Sequence, residues 1–291
     1  MNADFNTTYT YDNINRLSTV TTQYAGLTPV QEAFYKYYAN GKVQRLQLGT
    51  AQGVDYTYNE RDWLQMINQQ NITNASQDPG NDGNNGIPID KFGEVIGYDK
   101  SGQIVGGPAG SKQQFNGNIS WLIYQMSNVP FNSYPIVGNT YAYDNANRLD
   151  SANFGYSYNN NTSWQVTTAY NGSYTYDNVG NFQTLIRYGS TAGNEQDILR
   201  YSYNSGTNQV SSISGSSSAT YTYDANGNVT SDTHRGIAFI IYDPDNMPVS
   251  EYLTNGIQII YENDVNGSRV RNSIAGATDN FYFYGADGKK Q

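Results

Sequence analysis

The chain has 291 residues, enough to bury a sizeable core, with 28 tyrosines, no cysteine and a formal net charge of −9. The acidic balance and the scattered Lys and Arg exclude nucleic acid as the main partner, which needs clustered cations; the missing cysteines exclude disulfides, thiolate nucleophiles and Cys-based metal sites. Tyr-rich, Asn/Ser/Thr/Gly-rich composition is that of half-buried strands and turns rather than of disorder.

Met1 to Phe5 carry neither a basic nor an apolar leader pattern, so no signal peptide is visible and export is expected by another route, or as a piece of a longer polypeptide. The first predicted hairpin follows at once. Tyr9 and Tyr11, two apart, share one face of a strand, and Asp12-Asn13-Ile14-Asn15 reads as a turn. The same unit returns at Tyr141/Tyr143 with Asp144 to Asn147, at Tyr174/Tyr176 with Asp177 to Gly180, and at Tyr221/Tyr223 with Asp224 to Gly227. Asp at the first position of a type I turn accepts hydrogen bonds from the turn backbone. The fourth residue then falls in the left-handed region and starts the returning strand as a G1 bulge, which favours Gly and after it Asn.

That fourth slot is held in chain order by Asn15, Gly41, Asp62, Gly102, Asn147, Gly180, Gly227, Asn246, Gly267 and Gly288, with Asp62 the departure. Pro244 at the second turn position of Asp243 to Asn246 suits the fixed φ of a type I turn. Two residues past the slot the chain is usually apolar, as at Leu17, Val43, Leu64, Ile104, Leu149, Phe182 and Val229. Larger gaps between slots hide degenerate units, such as Asn116-Gly117 leading into an apolar strand over Ile119 to Tyr124. Asn68 to Pro88 is polar, Gly/Asn-rich and without period, and is expected to be a long surface loop or a partly disordered insertion; Val129 to Gly138, with two prolines, is a second irregular connection. No amphipathic helix of useful length is evident, and the apolar runs near Ile237 to Tyr242 and Ile257 to Tyr261 are too short to span a bilayer. The expected fold is all-β: one repeat domain over 1–291 with the insertion at about 68–88.

These Tyr-x-Tyr-Asp-x-x-Gly/Asn units, with the Tyr-x-Tyr-Gly-Ala-Asp-Gly-Lys ending at Tyr282 to Lys289, resemble the RHS/YD-repeat family, and Phe115 to Trp121 resembles members from Bacteroidetes-like bacteria. The resemblance covers nearly the whole chain. It implies β-hairpins in a long spiralling sheet, part of a hollow cocoon-like shell that in bacterial toxin members encloses a C-terminal effector; related repeats occur in insecticidal toxin complexes and in teneurins. The Asp-Pro-x-Gly plug linked to self-cleavage in many toxin members is not matched here, because Asp78-Pro79-Gly80 lies in the insertion and Asp243-Pro244 in a repeat turn.

Residues with chemical potential have plainer explanations beside them. His234, the lone histidine, could join a Ser-His-Asp triad with Asp232, but Thr230 to Gly236 reads as a polar link between strands. Acidic pairs could serve glycoside hydrolysis, yet Asp12, Asp144, Asp177, Asp224 and Asp243 are turn caps and no other pair stands out. Asp78 to Gly86 suggests calcium without the EF-hand spacing or closing Glu. Trp63, Trp121 and Trp164 could stack on sugars or on a partner, against the reading that aromatics line sheet faces in cross-strand ladders. The chain is therefore expected to be a non-enzymatic scaffold without cofactor or metal, secreted or at the cell surface as part of a bacterial parent. Its expected partners are an enclosed effector or neighbouring repeats. Two alternatives remain: an adhesion or carbohydrate-binding module meeting a surface glycan or protein, and a β structure self-associating through open sheet edges. Neither nucleic acid nor membrane insertion is expected.

Overall fold

A computed structural model describes residues 5–51, 53–69, 78–83, 87–99, 112–127, 136–157, 164–285 and 289. Every regular element among them is a strand, paired antiparallel, so the fold is the all-β hairpin type read from the repeats. No helix among the described residues is long and apolar enough to cross a membrane. The chain divides into two compact units, Met1–Asn171 with Ser190–Ala192, and Gly172–Gly189 with Gly193–Gln291.

The first unit is a meander of eleven described strands, each paired with the next in sequence. They are β1 (Phe5–Tyr11), β2 (Leu17–Tyr24), β3 (Val30–Tyr37), β4 (Val43–Leu48), β5 (Gly53–Tyr58), β6 (Leu64–Ile67), β7 (Phe92–Gly97), β8 (Trp121–Met126), β9 (Ile136–Tyr143), β10 (Leu149–Ser157) and β11 (Gln165–Val166). Its apolar centre lies on β7 to β9, where Val95, Trp121, Ile123 and Ile136 are buried together, with Met66 and Trp164 against them. Gly97 pairs with Trp121 across the strands, and a Cβ at Gly97 would overlap the indole, so the glycine makes room for the ring.

The second unit is a meander of the same kind. It comprises β12 (Gly172–Tyr176), β13 (Phe182–Tyr188), β14 (Glu195–Tyr203), β15 (Val210–Gly215), β16 (Ala219–Tyr223), β17 (Val229–Asp232), β18 (Ile237–Tyr242), β19 (Pro248–Leu253), β20 (Gln258–Asn263), β21 (Arg269–Ile274) and β22 (Asn280–Phe281). Its buried apolar side chains among the described residues are small in number, Ala219 and Ile237. Most of its strand residues are half-buried, and stability here comes from neighbour-to-neighbour contacts along the meander, as repeat proteins are built.

Two irregular connections read from the sequence differ in the structure. Ile136 to Gly138 belong to β9 and Ile136 is fully buried; the rest of that connection, from Val129 to Pro135, lies outside the described residues. The insertion is not simply a surface loop either. Asn68, Gln69, Asp78 and Asp82 are buried, and the side chains of Asn68, Asp78 and Asp82 are taken up by backbone and ion-pair partners inside the fold. Gly102, Ile104 and Gly288 lie outside the described residues.

Candidate functional site

The repeated structural element is the turn, and its geometry is the same from one hairpin to the next. Asp12 N–H donates to Arg16 C=O at 2.8 Å and Asn15 N–H donates to Asp12 C=O at 3.1 Å, which makes a type I turn closed by a bulge. Asp12 Oδ1 accepts the N–H groups of Ile14 and Arg16, both at 3.0 Å. Asp144, Asp177, Asp224, Asp243 and Asp264 cap their turns in the same way, and Asn59 does so where no Asp is present. These donors, the Arg16 amide foremost, hold the Asp12 carboxyl below its ordinary value. The fourth-slot residues all have positive φ: Asn15 63°, Gly41 90°, Asp62 62°, Asn147 62°, Gly180 100°, Gly227 90°, Asn246 60° and Gly267 81°. The strand pairing slips by one residue beside the turn, between Thr10 and Tyr11 in the first hairpin and between Thr222 and Tyr223 in a later one.

At Asp62, Asn147 and Asn246 the slot side chain has work that Gly cannot do. Asn40 Nδ2 donates to Asp62 Oδ1 at 2.8 Å, Asn116 Nδ2 to Asn147 Oδ1 at 2.6 Å, and Asn226 Nδ2 to Asn246 Oδ1 at 2.9 Å. Successive turns are thus tied side chain to side chain. Asp62, the departure from Gly/Asn in the sequence, is one of these acceptors.

In several hairpins the tyrosine just before the turn makes a second tie. Its hydroxyl donates to the carbonyl two residues past the slot of an earlier turn: Tyr37 to Leu17 at 2.9 Å, Tyr98 to Leu64 at 2.9 Å, and Tyr143 to Ile119 at 2.8 Å. In the second unit Tyr203 reaches Phe182 at 2.7 Å, Tyr242 reaches Val229 at 2.8 Å, and Tyr284 reaches Arg269 at 2.9 Å. Tyr223 reaches Val210 at 2.9 Å, just past the Asn204 turn. Tyr11 precedes the Asp12 turn in the same way, yet its hydroxyl has no partner among the described residues and the side chain is 60% exposed. Sequence pattern placed these rings on one face; the hydroxyl's role has no signal in spacing alone.

The three tryptophans occupy different environments. Trp121 is 1% exposed and offers no free face for stacking. Trp164 packs against the core, with its indole N–H buried and without a partner. Trp63 is half-buried against Tyr98, ring centroids 5.0 Å apart, with the Arg61 guanidinium 5.2 Å from its ring centre. The histidine lies in an exposed link. Ser217 Oγ is 3.2 Å from His234 Nδ1, but Asp232 accepts the backbone N–H groups of His234 and Arg235 rather than the imidazole N–H. The arrangement lacks the orienting carboxylate that a triad requires.

A buried acidic cluster in the first unit escaped the sequence reading. The Arg45 guanidinium, on β4, is ion-paired with both Asp55 of β5 and Asp82, and Asp82 Oδ2 also accepts Gly53 N–H at 2.9 Å. Asp78 accepts the N–H groups of Gly80 and Asp82. Asp90 is 1% exposed with neither carboxyl oxygen hydrogen-bonded. Burial, reinforced by Asp78 and Asp82, pushes Asp55 up to about 6 against the pull of Arg45. Burial and the same two aspartates, together with Asp55, push Asp90 up to about 7. Burial opposes the Arg45 charge, but Asp82 and Asp55 hold it above its ordinary value. Among the described residues no group of three or more His, Cys, Asp or Glu is placed to hold a metal ion. The sequence offered Asp78 to Gly86 only as suggestive of calcium; in the structure Asp78 caps its own turn, with Asn81 at φ 59° in the fourth slot, while Asp82 and Asp90 join the cluster.

No protein-family model matches the chain, and no curated protein matches it significantly. Solved structures with some likeness include a crystal structure of TcdB2-TccC3-Cdc42, at 15% identity and TM-score 0.47, covering 96% of this chain and 14% of that one. Another is TcdB2-TccC3, at 12% identity and TM-score 0.41, covering 98% of this chain and 18% of that one. A third is a Tc holotoxin pore of Photorhabdus luminescens carrying a TccC3-D651A mutation, at 13% identity and TM-score 0.27, covering 98% of this chain and 17% of that one. The chain thus spans less than a fifth of each of these proteins, and at such scores the likenesses define neither activity nor partner for it.

Proposed function

We propose that this chain is a structural RHS/YD-repeat segment, contributing part of a hollow β-shell that encapsulates or displays a C-terminal effector in a secreted bacterial toxin-like protein. The observation that carries the reading is the pair of ties, tyrosine hydroxyl to carbonyl and turn to turn, which recurs along both units and joins many of the described hairpins to an earlier one. Such ties serve a continuous wall, and the conspicuous aspartates are committed to turns rather than to chemistry. The test is the complete polypeptide encoded by the gene, examined by cryo-electron microscopy and limited proteolysis. Tyr9 and Tyr11 should be buried by a further hairpin, and an enclosed segment should resist protease until the repeats are unfolded. A complete polypeptide that leaves both rings in solvent and protects no segment overturns the proposal.

Self-association is a second reading, favoured by β1. All seven of its residues are exposed, and among the described strands it pairs only with β2. A free strand edge is a template for another chain. Sedimentation of the purified chain that shows monomer at every concentration removes this reading.

A further inference from the structure

The segment 78–83 is held against β4 and β5 by charge, and the charges do not balance. The groups that act on Asp90 are Asp78 and Asp82 from the segment, Asp55 from β5 and Arg45 from β4. That is one cation among four carboxyl groups; Asp55, Asp82 and Asp90 are no more than 4% exposed. Four carboxylates cannot all ionise around one guanidinium in a buried site, since desolvation and like-charge repulsion both oppose the charged form. Arg45 is already shared between Asp55 and Asp82. Asp90 has neither donor nor cation on its oxygens, and no metal geometry is present among the described residues to supply one. A proton is the remaining counter-ion.

We propose that the segment 78–83 is a proton-held latch: it stays docked on Arg45 while Asp90 is protonated, and ionisation of Asp90 releases it. The segment holds its own turn, with Gly80 N–H and Asp82 N–H bonded to Asp78, and it docks through Asp82, which pairs with Arg45 and accepts Gly53 N–H at 2.9 Å. Pro79 and Gly80 form one wall of a cleft of about 350 Å³ whose other walls include Phe34, Tyr38, Arg45 and Asp55. Release of the latch therefore opens this cleft and bares the Arg45–Asp55 pair. Asp55 shares the same cause and adds to the effect in the same direction. The sign follows from proton linkage. A carboxyl that titrates higher when docked binds more protons docked than free, so docking is favoured at low pH and weakens as pH rises through neutrality.

The experiment is hydrogen exchange of the Gly53 amide, whose bond to Asp82 crosses from β5 to the segment, at pH 6 and pH 8, corrected for the intrinsic base-catalysed rate. Asp90 alone should lower protection by about tenfold over that interval. Asp90→Asn, which stays neutral, should keep the Gly53 amide protected at pH 8. Equal protection of the unmodified protein at both pH values overturns the proposal, as does an Asp90→Asn variant with the same loss. Should that variant fail to fold, carbon-13 NMR titration of the Asp90 carboxyl in the unmodified protein decides. A midpoint near neutrality supports the latch, and one below pH 5 refutes it. Millimolar calcium added at pH 8 is the last arm. If it restores protection, the cluster's counter-ion is a divalent cation and the proton latch is wrong; if it does not, the latch stands.

Discussion

The tyrosine ties give the sharpest test of how the repeats hold together, and the second unit is the place to make it. Replacing Tyr203, Tyr223 or Tyr242 by Phe removes one hydroxyl and leaves the ring, deleting hydrogen bonds of 2.7, 2.9 and 2.8 Å to the carbonyls of Phe182, Val210 and Val229. A neutral hydrogen bond of this kind contributes about 1 kcal/mol net, and at the part-buried Val210 and Val229 carbonyls loss of the donor leaves an acceptor that water replaces poorly. Each single change should therefore reduce exchange protection of the neighbouring strand amides about fivefold. The triple change should total roughly 3 kcal/mol, since each donor has its own acceptor and no partner is shared. Native-state hydrogen exchange on β13, β15 and β17 is the right assay, because long repeat arrays need not unfold in one step. The molecule also contains its own control: Tyr11→Phe removes a hydroxyl that has no partner among the described residues and should change nothing. If Tyr223→Phe is as silent as Tyr11→Phe, the hydroxyl bonds are geometrical coincidences of the ring stacking and the account of inter-repeat cohesion is wrong.

Further outcomes follow from the turns and from titration. Gly227→Val should cost about 1 to 3 kcal/mol in thermal unfolding, because φ there is 90° and a β-branched residue is strained at positive φ; Gly227→Asn should cost only a few tenths. Gly215→Ala should cost more than about 3 kcal/mol, as φ is 123° and the added Cβ would overlap the rigid Ile198 carbonyl. Gly256→Ala, with φ 86° and nothing within 4 Å of the new carbon, should cost only about 1 kcal/mol by the same unfolding measurement. Burial and its bond to Glu251 push Tyr261 up to about 12. Its contribution is full below the ordinary tyrosine value and is lost as pH rises toward 12, which ultraviolet titration followed alongside unfolding will show.

How far the sequence could be read is best argued from residues that share a type. Asn15 and Gly227 were legible as left-handed turn positions because the requirement is local: four residues and one φ decide it. The strands between them followed from Tyr-x-Tyr alternation. Trp121 was legible as aromatic but not as buried, since its burial depends on Gly97, which pairs with it on another strand. Tyr223 was placed on a sheet face, while its hydroxyl acceptor on Val210 depends on how far the chain advances from one turn to the next.

Aspartate shows the limit most clearly. Asp224 lies at a turn with Asn226 and Asn228 donating to it, and the Asn228 side chain, followed by burial acting the other way, leaves its carboxyl below the ordinary range. It supports its hairpin while ionised, a contribution present above the ordinary carboxyl value and lost as acid protonates it. Asp90 has the same side chain and no donor, and burial moves it in the opposite direction, to about 7. It supports its segment while protonated. Nothing within four residues of Asp90 distinguishes the two, because its charge is decided by burial and then by Asp78, Asp82, Asp55 and Arg45, which lie eight to forty-five positions earlier in the chain. The two demands overlap between the ordinary carboxyl range and neutrality. There the turn caps are charged, the buried cluster keeps its proton, and the first unit should be at its most stable. The second unit carries no such cluster among its described residues, so its plateau should run on to the alkaline range where its tyrosines ionise. A hydrogen-exchange profile that declines from pH 6 to pH 8 equally in both units would show that the buried aspartates are not what sets the pH response of the first.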